Sequence, residues 1–205
     1  MQAEHEITDT AITDTAITVD EILGLDVGVD ARSIEVAPGV SLHVAVRAPA
    51  PVGGDDLDSP GAARVPFLLV HGLASNSRLW DGVARVLVGL GHPVAAVDLR
   101  GHGRSDAPED GYDIPTVATD LITVIDVLGW SRPVAVGQSW GGNVVIELAA
   151  AHPDVLGAVA AVDGGIIELA DRFATWEDCR DRLAPPALEG TPFTTIRRWL
   201  LEAHP

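Results

Sequence analysis

The spacing of apolar and polar positions changes several times along the chain, and each change predicts an element. Two alternating runs, 33–36 and 41–46, flank Pro38-Gly39 and predict an antiparallel hairpin at a sheet edge. Short apolar runs without alternation follow at 67–70, 94–98, 134–137 and 158–163, the pattern of strands buried on both faces. Between them the period becomes helical. Trp80, Val83, Leu87 and Leu90 predict a helix stopped by Gly91, and Val117, Leu121, Val124 and Leu128 predict a second stopped by Gly129. An alanine-rich run from about Asn143 to Ala151 predicts a third. Strands that alternate with helices predict an α/β fold: a mostly parallel sheet covered by helices on both faces, with right-handed crossovers.

Outside this region the pattern fades. Residues 1–31 read as a flexible acidic leader: Ile7-Thr8-Asp9-Thr10-Ala11 and Ile12-Thr13-Asp14-Thr15-Ala16 repeat with a five-residue period that fits neither helix nor strand. Residues 32–165 hold the strand–helix alternation and form the predicted core, interrupted by a Pro-, Gly- and Asp-rich loop over 48–65. Residues 166–205 carry no strand signal. They predict two helices, 171–183 and 193–203, on either side of Pro185-Pro186, and read as the start of a helical cap that would wall a pocket.

Composition narrows the possible partners. The 205 residues are 47% hydrophobic and carry a formal charge of −17, and all 13 basic residues are arginine. Nucleic acid and anionic membranes are repelled by such a charge, so neither is an expected partner. The oligomeric state is not legible. One cysteine, Cys179, stands among acidic residues that disfavour a reactive thiolate, and no disulfide can form within the chain. No signal-peptide or membrane-spanning run is present, so a cytoplasmic location is expected. Gly101-His102-Gly103 lacks the rest of a dinucleotide fingerprint, and no His or Cys spacing suggests a metal, so neither cofactor nor metal is expected.

The chemistry concentrates in Gly137-Gln138-Ser139-Trp140-Gly141-Gly142, where a strand-like run meets a helical one. Gly-x-Ser-x-Gly in that setting is the pattern of a nucleophile elbow, a tight turn that lifts a serine hydroxyl above a parallel sheet. Two further landmarks precede it, each at the end of an apolar run: His71-Gly72, and Asp98-Leu99-Arg100-Gly101-His102-Gly103-Arg104-Ser105. A charge pair between Asp98 and Arg100 is expected to orient the second.

With these three landmarks in this order, residues 32–165 resemble the α/β-hydrolase fold family, in the style of its capped esterases and related serine hydrolases. Epoxide hydrolases and haloalkane dehalogenases share the landmarks but are known for an aspartate where this chain has Ser139. The resemblance implies a small-molecule substrate, with Ser139 as the catalytic nucleophile and the backbone N–H groups of Trp140 and Leu73 forming an oxyanion hole. It implies that His71 shapes the oxyanion loop and is not the base. The family's order places an acid and then a histidine after the serine. Asp163, at the end of the following strand, is a possible acid. His152 and His204, the two histidines after Ser139, do not sit where the family's base does.

The expectation is therefore an incomplete hydrolase fold, cut within its cap and inactive as it stands, with an unpaired apolar edge at 158–162 that invites association. The rival reading is a non-catalytic module of the same fold that binds a small apolar ligand.

Overall fold

The computed structural model describes residues 28–49, 64–165, 171–184, 190–192 and 194–198. Residues 1–27 of the expected leader, most of the 48–65 loop and His204 lie outside them, and the last residues of that leader, Val29 to Ala31, belong to the first strand because they pair with Ala45 to Arg47. The hairpin forms around Gly39, whose φ of 72° makes the reversal possible. Its strands are longer than the alternation predicts: β1 runs Val29–Ala37 and β2 runs Val40–Arg47. They pair antiparallel from Val29↔Arg47 to Ala37↔Val40, with a shift in register between Glu35 and Ala37.

Four shorter strands complete one sheet: β3 Phe67–Val70, β4 Val94–Val97, β5 Val134–Gln138 and β6 Ala158–Val162. The order across it is β1-β2-β4-β3-β5-β6. β2 meets β4 antiparallel, whereas β3–β4, β3–β5 and β5–β6 are parallel. The chain leaves β3 to build β4 on one side and later returns to lay β5 on the other. A crevice therefore opens at the carboxyl ends of β3 and β5, where open α/β sheets place their ligands.

Helices cover both faces. A 3-10 turn, Ser77–Trp80, leads into α1, Asp81–Gly89. On one face Trp80 and Ala84 pack on Leu69, Val94 and Ala96. Helix α2, Ile114–Val127, starts at Asp113, whose carboxylate accepts the Thr116 N–H at 2.9 Å. Helix α3 is Trp140–Ala151. Together α2 and α3 cover the other face, where Val117, Leu121, Val124, Val144 and Leu148 meet Leu42, Val44, Leu68, Val70 and Val97. Each such fully buried side chain contributes about 1.5–3 kcal/mol.

Four expectations need correction. First, α3 begins at Trp140 rather than near Asn143, because it starts directly after the Ser139 turn. Second, the buried side of α1 is not 80-83-87-90: Val83 and Leu90 are 44% and 60% exposed. The buried side instead runs through Trp80, Ala84, Leu87 and Val88, so the step from Trp80 is four residues to Ala84 and Val83 falls outside it. Third, the sheet is not covered throughout, since Ala158, Ala160, Ala161 and Val162 of β6 are exposed. Fourth, in the region after 165, a helix starts at Trp176 instead of Asp171.

The molecule divides into two compact units at Gly165/Ile166. In the second unit, helix α4 spans Trp176–Leu183, and Thr175 Oγ1 caps it by accepting the Asp178 N–H at 3.1 Å. Residues 194–198 are also helical. No helix among the described residues is long and apolar enough to cross a membrane.

Candidate active site

Ser139 sits between the last residue of β5 and the first of α3 with φ 51° and ψ −121°. A residue with a side chain is seldom found there, and the strain of about 1–3 kcal/mol persists only where the surroundings over-determine it. Here they do. The Ser139 N–H donates to the Val162 carbonyl at 2.9 Å, and the Ser139 carbonyl accepts the Gly142 N–H at 2.9 Å. Close approach explains two of the neighbouring glycines. A Cβ on Gly141 would lie 2.5 Å from the His71 carbonyl oxygen and 2.6 Å from that of Val70. A Cβ on Gly72 would lie 2.9 Å from Ser139 Cβ, so the chain leaving β3 rests against the serine.

His71 fixes that loop from inside. Its ring is fully buried; Nδ1–H donates to the Gly72 carbonyl at 2.7 Å and Nε2 accepts the Leu99 N–H at 3.0 Å. A backbone N–H at Nε2 requires a lone pair there, which puts the proton on Nδ1. Burial pushes the pKa down and outweighs the Gly72 hydrogen bond, which pushes it up. His71 is therefore a neutral tie between the ends of β3 and β4, with no nitrogen left to take a proton.

The 98–106 loop is held differently from the sequence expectation. Asp98 and Arg100 do not pair. Asp98 Oδ1 accepts the Ser77 N–H at 2.6 Å, and Oδ2 accepts the Arg104 N–H at 2.9 Å and stands 3.2 Å from His43 Nδ1. Burial alone would raise its pKa, but the Ser77 and Arg104 hydrogen bonds and His43 prevail and hold the carboxyl below its usual range. Arg100 turns instead to Asp120 of α2, with Nε and Nη2 each 2.7 Å from a carboxylate oxygen. Those bonds raise the guanidinium pKa against its burial. Each group is satisfied by other partners that folding brings close, so the expected Asp98–Arg100 pair does not form. Asp120 was not singled out from sequence, although a carboxylate between Val117 and Leu121 on a core-facing stripe signals a buried partner.

The sequence profile of the alpha/beta hydrolase fold matches residues 65–188, more than half of the chain. The protein belongs to the alpha/beta hydrolase fold family. Among its relatives, the esterase Rv0045c of Mycobacterium tuberculosis is 44% identical over 103 residues, 50% of this chain and 33% of that protein. Lipase LipV of the same organism is 39% identical over 108 residues, 52% of this chain and 39% of that protein. The crystal structure of epoxide hydrolase A from Mycobacterium thermoresistibile superposes with a TM-score of 0.55 and 31% identity, over 65% of this chain and 38% of that one. The chain thus aligns with between a third and two fifths of the length of these relatives.

On this hydrolase fold the structure brings some of the singled-out residues to the β3–β5 crevice and leaves others away. Trp140 is the first residue of α3, and Leu73 follows Gly72 with its side chain 47% exposed. No described residue accepts from the backbone N–H of either. Asp163 also lies beside the turn: the residue before it, Val162, binds the Ser139 N–H, and a Cβ on the residue after it, Gly164, would strike the Ser139 carbonyl. It is exposed and strained, with φ 49°. His152 is exposed at the far end of α3. At 1.5 Å per residue, that end is about 18 Å from Ser139. Among the described residues no group of three or more His, Cys, Asp or Glu could hold a metal.

Proposed function

We propose that this chain carries the nucleophile of a serine hydrolase that acts on an ester, lactone or related activated carbonyl of a small molecule. The observation that carries the reading is the strained backbone of Ser139 at a strand-to-helix bend, with Gly72 against its side chain. Strain of this kind gathers at functional sites, and the esterase and lipase names of two relatives favour the same chemistry.

In the proposed reaction Ser139 Oγ attacks the carbonyl carbon and gives its proton to a base, while the carbonyl electrons move onto oxygen. The Trp140 and Leu73 N–H groups stabilise that oxyanion, since preorganised donors cost no reorganisation as charge develops. Collapse expels the alcohol with the transferred proton and leaves an acyl-enzyme, which water then opens by the same steps to release the acid. Asp163 is the carboxylate proposed to orient the base. His71 has no nitrogen to spare for that role, and His152 is too far away, so the chain by itself should turn over only slowly. Without its base a dissected triad retains on the order of 10³–10⁴-fold acceleration over water.

Hydrolysis of a nitrophenyl ester and labelling by a fluorophosphonate test the reading. Slow labelling at Ser139, lost in Ser139→Ala, supports it. Labelling unchanged by that substitution would exclude Ser139. The used-up nitrogens of His71 favour one rival, a non-catalytic module of the same fold that binds an apolar ligand. That module predicts saturable ligand binding with no labelling at all.

A further inference from the structure

Away from Ser139, a cleft of about 440 Å³ opens between the β1–β2 hairpin and the turn that leads into α1. None of the residues 71–73 or 137–142 lines it. Alternate residues of a strand share a face, so β2 presents His43, Ala45 and Arg47 to the cleft, and β1 adds Val29 and Ala31 beside them. The opposite wall includes Arg78, Asp81, Asp98 and Arg104.

The charges in this cleft run against those of the chain as a whole. Three arginines face two aspartates in a protein whose formal charge is −17. Both carboxylates are already engaged: Asp81 pairs with Arg47 and stands 3.5 Å from Arg78, while Asp98 takes the Ser77 and Arg104 amides and faces His43. What is left unmet is nitrogen. Arg47 is only 5% exposed, and while its Nη2 binds Asp81, its Nη1 has no acceptor. The Arg104 guanidinium has no partner among the described residues. A buried donor without an acceptor is unfavourable, and native proteins seldom leave one so.

We propose that this cleft binds a short aliphatic carboxylate. Its oxygens are taken by the Arg47 and Arg104 guanidinium groups, whose planar forks match a carboxylate. Its hydrocarbon lies along Val29, Ala31 and Ala45. The apolar side favours an organic acid over inorganic phosphate, whose second charge would also face Asp81 and Asp98. The site is separate from the Ser139 bend and does not depend on its chemistry.

Titration of the full chain with hexanoate, followed by isothermal calorimetry and by amide chemical shifts, tests the proposal. Hexanol, hexylammonium and inorganic phosphate serve as comparison probes. Saturable hexanoate binding is expected, with shifts grouped at His43, Ala45 and Arg104. Arg104→Ala should weaken it about fivefold or more, and Ala31→Phe, which fills the apolar side, should abolish it. Both positions are exposed, and an unchanged unfolding temperature checks that each variant folds; should Ala31→Phe not fold, Arg104→Ala decides. Ser139→Ala should leave hexanoate binding intact whatever it does to labelling, so the two readings fail separately. Absence of saturable binding, shifts grouped at Gly72 and Trp140, equal binding of hexanol or phosphate, or indifference to Arg104→Ala would each overturn the proposal.

Discussion

Gly141 and Gly82 are both helical glycines, and replacing each by alanine should have opposite effects. Helix propensity alone favours alanine by about 1 kcal/mol at an interior position. At Gly82, the second residue of α1, an added Cβ meets nothing within 4 Å, so part of that gain should appear as added stability. At Gly141 in α3 the same methyl would stand 2.5 Å from the His71 carbonyl oxygen and 2.6 Å from that of Val70. Both are backbone atoms at the end of central strand β3, so no side chain can swing aside. Overpacking of this kind costs about 1–3 kcal/mol or more. Two contacts on rigid backbone belong at the upper end, which leaves a net loss of about 1–3 kcal/mol after the propensity gain. For a chain of this size each kcal/mol moves the melting temperature by about 2–4 °C. Urea unfolding of the two variants beside the parent measures the contrast. The clash also pushes the Ser139 turn away from Gly72, so fluorophosphonate labelling should fall for Gly141→Ala and not for Gly82→Ala. If Gly141→Ala proves as stable as Gly82→Ala, the close approach of α3 to β3 is not what requires glycine there, and the account of the bend is wrong.

Two further outcomes follow from buried charge and from a buried neutral ring. Arg100 and Asp120 are 5% and 3% exposed and bind each other at two points; Arg100→Leu should cost about 3–5 kcal/mol by stranding Asp120, and pairing it with Asp120→Leu should recover much of the loss. A double-mutant cycle by urea unfolding that finds the two changes additive would refute the coupling. His71 is held neutral, with its pKa below the ordinary 6.5. As pH falls through 6.5 the unfolded chain takes up a proton that the folded chain refuses. Folding stability supplied by the neutral ring is therefore complete above that pH and lost below it, by up to about 1.4 kcal/mol per pH unit. NMR titration of the His71 ring should show a midpoint under 6.5, and a midpoint above it would contradict the assignment of its tautomer and bonds.

Much of the scaffold was legible because periodicity is a local property. The apolar runs that became β3, β4 and β5, the edge hairpin, and the α2 stripe of Val117, Leu121 and Val124 follow from chemistry repeated at the spacing of one element. The Ser139 turn was legible for a similar reason: a glycine two positions either side of a serine, between a strand and a helix, has few other uses. Phase and partnership were not. Spacing alone does not say that the buried side of α1 runs through Ala84 and Val88 and not through Val83 and Leu90, because that choice is made when Trp80 and Ala84 pack on the sheet. Nor can it say that Arg100 finds Asp120, 20 residues on, while Asp98 takes the amides of Ser77 and Arg104. Short-range spacing determined which elements form and where Ser139 stands between a strand and a helix. The tertiary structure decided which way each charged group faces and which nitrogens of His71 and Arg47 are spent, since hydrogen-bond partners are chosen among groups that only folding brings within 3 Å.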